Sequence, residues 1–162
     1  MSRRVNRGWR GRGKHELQGS PGDSAMGVEP EVTKVKEANA AFYAAFESLQ
    51  IERMKECWLQ TDHIQCIHPG WPPLSGWRSV MASWDAIFRN TVQIRFDLSD
   101  VKVHVKGDLA WVLLTENIAT PLGDERTITP IVAVNLFEKV EDRWLMVHHH
   151  ASHILADPQR FY

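Results

Sequence analysis

The chain has little cysteine and no long apolar run, and each shortage excludes a class of protein. Only Cys57 and Cys66 are available among 162 residues, so no disulfide framework is expected and a reducing compartment is favoured. No apolar stretch approaches the ~20 residues that a membrane-spanning helix needs, and none has the form of a signal-peptide core. We therefore expect a single-domain, cytoplasmic protein without a membrane partner.

The sequence also lacks the motifs of several enzyme classes. It contains no nucleophile elbow, no phosphate-binding loop and no dinucleotide fingerprint. These absences disfavour serine hydrolases, nucleotidases and nicotinamide-dependent enzymes, and we predict no cofactor. Tyrosine is scarce as well, since the chain has only Tyr43 and Tyr162.

Charge divides the chain unevenly. Residues 1–27 carry six Lys/Arg and two Asp/Glu, hence +4, whereas the remainder carries 13 and 18, hence −5. The first segment also holds six of the ten glycines, and such a composition buries too little apolar surface to fold. We predict a disordered tail over 1–27 whose deletion leaves the fold intact, a domain over 28–156 and a short C-terminal tail over 157–162. A transit peptide or a nonspecific nucleic-acid contact through RGWRGRG is a less favoured alternative.

Hydrophobic periodicity predicts helices first and a sheet afterwards. Apolar residues recur at helical spacing over about 31–48, in a shorter segment that begins at Ile51, and over about 77–90. A short alternating strand at 62–68 and a proline-rich loop separate the last two helices. Four longer strands follow, at about 92–106, 109–120, 127–139 and 143–153. Their connections are so short that they must form an antiparallel meander.

One strand has an irregular apolar pattern. The apolar side chains fall on even positions from Val92 to Leu98 and on odd positions from Val101 to Val105. A β-bulge near Ser99 and Asp100 would keep both sets on one face. Alternatively, the strand is buried on opposite faces at its two ends.

Two strands are apolar on both faces. These are LAWVLL at 109–114 and IVAVNLF at 131–137. Helices can cover one face of the sheet only, so we predict that a second copy of the chain covers the other. The expected contacts of this homodimer include Val112 or Leu113, and Leu145 or Val147.

The segments CIHPGWPPLSGWRSVMASWDAIF, GDLAWVLLTEN and AVNLFEKVEDRWLMVHHHAS carry a family resemblance. The chain from about 31 to 153 resembles the nuclear transport factor 2-like superfamily, and within it the SnoaL-like and ketosteroid-isomerase-like branch. This resemblance implies an α+β cone in which N-terminal helices pack in a curved antiparallel sheet, with an internal pocket and a homodimer. It implies less about function, because the superfamily includes isomerases, cyclases, dehydratases, epoxide hydrolases and non-enzymatic modules.

The last strand, RWLMVHHHASH, contains three consecutive histidines. Side chains alternate between the faces of a strand, and the charge of Arg143 favours the solvent face. Without a bulge, the even-numbered set then points inward. This parity predicts that His148 and His150 lie in the pocket with Trp144 and Met146, and that His149 lies outside it.

Three roles are open for these histidines. Their rings could be structural hydrogen-bonding groups, or they could be general acids and bases, since the histidine pKa of ~6.5 suits proton transfer near neutrality. His148 and His150 could also hold a metal with His68 as a third ligand. No carboxylate that could orient metal-binding imidazoles is evident near them, so we predict no metal. We assign His68, His148 and His150 as catalytic candidates.

The remaining pocket candidates are apolar or amide side chains. Aromatic residues at helical spacing form plain core more often than a site, but they would suit a small, mostly apolar ligand. Asn135 must be hydrogen-bonded if it is buried. Of Glu116 and Asn117 only one can face the pocket, and Glu116 could instead pair with Arg126 across the hairpin. The predicted ligand-binding residues are Phe42, Phe46, Trp58, Trp84, Asn135, Trp144 and Met146.

Two functions therefore stay open at the level of sequence. The first is a cofactor-free isomerase, cyclase or dehydratase that uses histidine acid–base chemistry on a small apolar molecule. The second is a ligand-binding or dimerisation module without turnover. The tyrosine and aspartates on which ketosteroid isomerases rely have no counterpart that we can place, so steroid isomerisation is not inferred.

Overall fold

The computed structural model describes residues 25–122 and 125–154. Within them, two helices come first, two short strands and a third helix follow, and four long strands complete a six-stranded sheet. The sequence predicts this order except for the short strand Leu74–Ser75, which falls in the predicted proline-rich loop. The helices are α1 (Ala25–Ser48), α2 (Ile51–Cys57) and α3 (Trp77–Arg89). The strands are β1 (Gln65–Ile67), β2 (Leu74–Ser75), β3 (Arg95–Lys106), β4 (Leu109–Leu122), β5 (Glu125–Val140) and β6 (Arg143–His153).

Helix α1 begins earlier than its apolar pattern predicts. It starts at Ala25, so the last three residues of the predicted tail are helical and Pro30 lies inside the helix. Because proline has no N–H, one hydrogen bond of the helical ladder is missing there. The rest of the predicted tail, residues 1–24, and the predicted C-terminal tail lie outside the described residues.

The four long strands form the predicted meander. The order across the sheet is β2-β1-β6-β5-β4-β3, and the pairs β3–β4, β4–β5 and β5–β6 are antiparallel. Strand β1 pairs with β6 in the parallel direction. This pairing places the residue after β1, His68, beside the middle of the last strand.

The predicted bulge in β3 is confirmed. The register with β4 shifts between Ser99 and Lys102, and Asp100 has a φ of 54°. The bulge leaves Val101 exposed and returns Val103 to the face that packs on the core. Burial on opposite faces at the two ends of β3 is therefore not what the strand adopts.

The hydrophobic core lies between the concave face of the sheet and helices α1 and α3. Its fully buried large side chains come from both layers, and they include Phe42, Trp84, Leu114, Ile131, Phe137 and Met146. None of the described helices is long and apolar enough to cross a membrane. The core therefore fills an α+β cone. The few polar residues buried inside that cone are the candidates for a functional site.

Candidate active site

A second bulge, on β6, decides which histidine faces the interior. Leu136 of β5 lies opposite His148, and the next residue, Phe137, lies opposite Met146, so Val147 is an extra residue on β6. Trp144 and Met146 are buried as predicted. Beyond the bulge the alternation is reversed, and His149 is the histidine that is buried.

The predicted placement of the three histidines is therefore wrong. His149 is only 2% exposed, whereas His148 is half-buried and His150 is exposed. The outward position of Arg143 is correct, since that residue is exposed. The error comes from Val147, because an apolar residue at a bulge leaves no mark in the apolar pattern.

The metal hypothesis fails for the same geometric reason. His68 is buried in the cone, while His148 and His150 lie on the outer face of β6 with ring centroids 6.3 Å apart. Within residues 25–122 and 125–154, no group of three or more His, Cys, Asp or Glu side chains could hold a metal ion. The three proposed ligands are thus on opposite sides of one strand.

His149 makes one strong polar contact in an aromatic environment. Its Nδ1 lies 2.6 Å from Oδ1 of Asn135, and its ring packs against Phe42 and Trp84 at centroid distances of 5.1 and 5.8 Å. Burial lowers the pKa of His149 to about 3, with smaller contributions from neighbouring histidines. The imidazole is therefore neutral at physiological pH.

Asn135 joins β6 to helix α1. Its Nδ2 lies 2.8 Å from Oδ1 of Asn39 and 3.2 Å from Oη of Tyr43, so the amide donates to both. Its Oδ1 is then left to accept from His149, which must carry its proton on Nδ1. The prediction that a buried Asn135 is hydrogen-bonded is confirmed, and Nε2 becomes the basic nitrogen of His149.

Glu116 and Tyr43 form a buried acidic pair. The Tyr43 hydroxyl donates to Oε1 of Glu116 over 2.6 Å, and the Glu116 residue is 2% exposed. Burial raises the pKa of Glu116 to about 7, although the hydrogen bond from Tyr43 opposes this shift. Burial and the neighbouring carboxylate raise the pKa of Tyr43 well above its ordinary value. Of the two neighbours Glu116 and Asn117, Glu116 is thus the one that faces the interior.

The alternative pairing of Glu116 with Arg126 does not fit the register. Glu116 lies opposite Ile131 on β5, whereas Arg126 lies opposite Pro121 near the end of the hairpin. Glu116 instead reaches across the core to α1. This contact makes it a chemical group of the interior rather than part of a surface ion pair.

His68 lies in the same interior. It is buried, and its Nε2 is 2.9 Å from Oγ of Ser83 on α3. Burial lowers the pKa of His68 to about 4. Its ring centroid is 6.5 Å from that of His149, and Trp84 packs against both rings.

The predicted aromatic residues form a contiguous wall around these polar groups. Phe42 contacts Phe46, Trp58 and Trp84 in edge-to-face geometry. The indole N–H groups of Trp58 and Trp84 are buried and have no hydrogen-bond partner among the described residues. An orphaned buried donor is costly, so these two groups are available to a bound molecule.

Trp144 and Met146 share the inward face but differ in surroundings. Met146 is fully buried, whereas the Trp144 indole donates to Oε2 of Glu31 over 2.9 Å at the edge of the cone. Trp144 also lines an outer groove of about 520 Å³ between α1, α2 and the start of β6. A second outer groove of about 590 Å³ includes Trp58, and neither groove is lined by His149 or Glu116.

Four residues of the interior were not assigned from the sequence, namely Asn39, Tyr43, Ser83 and His149. A sign of the first two was present, since Asn39 and Tyr43 are four residues apart and lie beside the apolar stripe of α1. Ser83 could have been found in the same way on α3. His149 could not, because its placement depends on the bulge.

The fold and this interior define an NTF2-like α+β cone, and comparison with known proteins identifies the family. Residues 35–157 match the model of the SnoaL-like domain, so the chain belongs to the SnoaL-like domain family. The chain is also 39% identical to a candidate dehydratase of the NTF2-like family from Streptomyces avermitilis. That comparison has a TM-score of 0.74 and covers 80% of this chain and 99% of the other.

Two further relatives carry names that do not describe an enzyme of this kind. A candidate association domain of a calcium/calmodulin-dependent protein kinase type II from Thiobacillus denitrificans is 34% identical, with a TM-score of 0.68 over 74% of this chain and 94% of the other. The F-box protein SKIP8 of Arabidopsis thaliana is 30% identical over 122 residues, which is 75% of this chain. The chain spans about half the length of that curated relative, since the match covers 50% of it.

Proposed function

We propose that the chain is a cofactor-free acid–base enzyme that eliminates water from a small, mostly apolar hydroxy-carbonyl compound inside the cone. One observation carries the proposal. The amide of Asn135 holds the imidazole of His149 through Oδ1 and the hydroxyl of Tyr43 through Nδ2, at 2.6 and 3.2 Å. A base and an acid are thereby fixed to the same side chain.

His149 serves as the base in this proposal. Its Nδ1 proton is engaged by Asn135, so Nε2 takes a proton from the carbon next to the substrate carbonyl. The electron pair of the broken C–H bond forms the new double bond as the neighbouring carbon loses its hydroxyl group. The low pKa of His149 in the closed interior keeps the ring unprotonated, so the lone pair of Nε2 is free when the substrate binds.

Tyr43 and Glu116 supply the acid. When Glu116 is protonated, the hydrogen bond between the two groups reverses: the Tyr43 hydroxyl gives its proton to the departing hydroxyl group, which leaves as water, and takes a proton from Glu116. The proton that His149 has accepted then replaces the one that Glu116 has lost. A carboxyl with a pKa of about 7 can be protonated near neutrality and can be reloaded after each turnover. The relative from Streptomyces avermitilis, a candidate dehydratase, supports this choice of reaction.

The surroundings favour an uncharged, mostly apolar substrate. The interior wall is aromatic, and the buried indole N–H groups of Trp58 and Trp84 offer hydrogen bonds to its oxygen atoms. His149 is buried, so binding must displace part of the covering layer.

The test measures solvent deuterium uptake and water loss in a set of neutral β-hydroxy ketones incubated with the full chain in D₂O. We expect His149→Gln to lower the rate by about 10²–10⁴-fold, as is typical for loss of a general base. His150→Gln is the matched control, because its side chain is exposed on the same strand. Equal rates for the two variants would rule out His149 as the base.

A second candidate function is a homodimeric binding module. The relatives that carry kinase-association and F-box names favour it, and so does the outer face of the sheet. Leu113 is exposed there and lies opposite Val134 of β5. Of the predicted dimer contacts, Val112 instead points inward and is fully buried.

Light scattering at micromolar concentration tests this assembly. We expect a dimer mass for the unaltered chain and a monomer mass for Leu113→Glu, because a charge would be buried against the partner. Val92→Glu is the control, since Val92 is 99% exposed and precedes β3. A monomer mass for the unaltered chain would remove the homodimer from the proposal.

A further inference from the structure

His68 is the second imidazole of the interior, and two buried side chains contact its Nε2. One is Ser83 of α3, and the other is Cys66 of β1, whose Sγ lies 3.6 Å from Nε2 and 3.9 Å from Nδ1. Oγ of Ser83 lies 2.9 Å from Nε2, and both residues are buried. Two aromatic groups also pack against the ring. Trp84 packs perpendicular to it at a centroid distance of 4.6 Å, and Trp71 contacts it at 5.2 Å.

The direction of the His68–Ser83 hydrogen bond follows from a second contact. The Ser83 hydroxyl donates to the carbonyl oxygen of Val80 over 2.7 Å. A serine hydroxyl has only one proton to donate, so Oγ of Ser83 must accept from His68. His68 therefore carries its proton on Nε2, and Nδ1 holds the lone pair.

This arrangement is the reverse of the one at His149. There, Asn135 accepts from Nδ1 and leaves Nε2 basic. Two neutral imidazoles thus stand 6.5 Å apart, centroid to centroid, in opposite tautomers, each fixed by a different neighbouring side chain. Fixing a tautomer decides which nitrogen of an imidazole can accept a hydrogen bond or a proton.

We propose that Ser83 is a positioning residue, which holds His68 in the Nε2–H tautomer so that Nδ1 is presented to the substrate as a hydrogen-bond acceptor. The substrate-directed part rests on the proposed function. With Nδ1 accepting from a hydroxyl group and Nε2 of His149 taking the proton, the two rings divide the tasks of orientation and base catalysis.

Imidazole nitrogen NMR on the full chain tests the tautomer directly. We expect a His68 signal set with a protonated Nε2 in the unaltered protein, assigned by its loss in His68→Gln. Ser83→Ala should move His68 to a mixture of tautomers or to Nδ1–H, and Ser83→Thr should restore Nε2–H. Ser79→Ala is the matched control, because Ser79 is exposed on the same helix.

Two results would overturn the proposal at this level. One is a protonated Nδ1 on His68 in the unaltered protein, which is decisive even if Ser83→Ala fails to fold. The other is an unchanged tautomer in Ser83→Ala. Neither measurement needs turnover, so each can refute the assigned tautomer whether or not the proposed function is correct.

The deuterium-uptake assay tests the positioning role. We expect Ser83→Ala to slow exchange on the order of tenfold, as suits the loss of one orienting hydrogen bond, and Ser83→Thr to recover most of the rate. A changed tautomer with an unchanged exchange rate would overturn the positioning role. Absence of exchange in the unaltered protein would instead refute the proposed function and, with it, the substrate-directed part.

Discussion

Replacing Glu116 by glutamine should remove the contribution of this one carboxyl to the pH dependence of stability. The difference in the free energy of unfolding between the variant and the native chain then isolates that contribution. Glutamine has nearly the same shape and can still accept from the Tyr43 hydroxyl, but it does not titrate. In the native chain, burial raises the pKa of Glu116 from 4.5 to about 7. Between about pH 4.5 and about pH 7, the folded protein therefore keeps a proton on Glu116, whereas the unfolded chain has released it.

The sign and size follow from linkage. Below about pH 4.5 both states are protonated at Glu116, and the buried carboxyl has no ionisation penalty. Above about pH 7 both states are ionised, and the folded state bears the full cost of a buried carboxylate. One pKa unit corresponds to about 1.4 kcal/mol, so the native chain should lose about 3 kcal/mol relative to Glu116→Gln as the pH rises through this window.

Urea unfolding followed by tryptophan fluorescence measures this difference at a series of pH values. We expect the free energy of unfolding of Glu116→Gln, relative to the native chain, to rise steadily between about pH 4.5 and about pH 7 and to be level outside. Glu56→Gln is the control, because Glu56 is exposed. A flat difference for Glu116→Gln would mean that Glu116 is solvated in the folded protein and that the acid–base pair is misassigned.

Three further predictions follow from the same interior. Burial lowers the pKa of His68 to about 4 and of His149 to about 3, so the unfolded chain binds both protons first and each ring should cost about 1.4 kcal/mol per pH unit below 6.5. Glu116 offsets one of these protons, so these three groups together should contribute a slope of about 1.4 kcal/mol per pH unit to the free energy of unfolding between pH 6.5 and 4.5. Their contribution should double in Glu116→Gln, and urea unfolding that shows no slope would contradict neutral buried rings. Asn135→Leu should lower the free energy of unfolding by about 1–3 kcal/mol by stranding the Nδ1–H of His149, and an unchanged urea midpoint would show that this network is not formed. His148→Ala should change that midpoint far less than His149→Ala, because His148 is only half-buried; equal losses would contradict the bulged register.

The order of elements could be predicted because it depends on local pattern alone. Apolar residues at helical spacing marked the buried faces of α1 and α3, and short polar links between apolar runs allowed no arrangement of β3–β6 but a meander. The bulge in β3 was also visible, since the apolar phase changes from Leu98 to Val101. Such a change can be seen in a sequence only when polar residues occupy the positions between the apolar ones.

The site could be predicted only in part because long-range contacts decide it. Asn135 was correctly marked as a residue that must be hydrogen-bonded if it is buried. The acid pair was missed, because Tyr43 and Glu116 are 73 residues apart and nothing local shows that they meet. His149 was placed outside because Leu145, Met146 and Val147 are consecutive apolar residues and three identical histidines follow them, so the phase shift leaves no trace in the sequence.

The run of three histidines makes the interior of the cone insensitive to slippage of β6. Shifting a strand by one residue exchanges its two faces, and for most sequences that would replace the interior group by an unrelated side chain. Here the extra residue, Val147, precedes His148, His149 and His150. If β6 were a regular strand without the bulge, His148 and His150 would replace His149 inside, and the cone would still contain an imidazole. Deletion of Val147 would leave His149 inside on a regular strand. The repeat is therefore a form of redundancy. A change of register alters which histidine lies inside the cone, but the group at this level remains an imidazole.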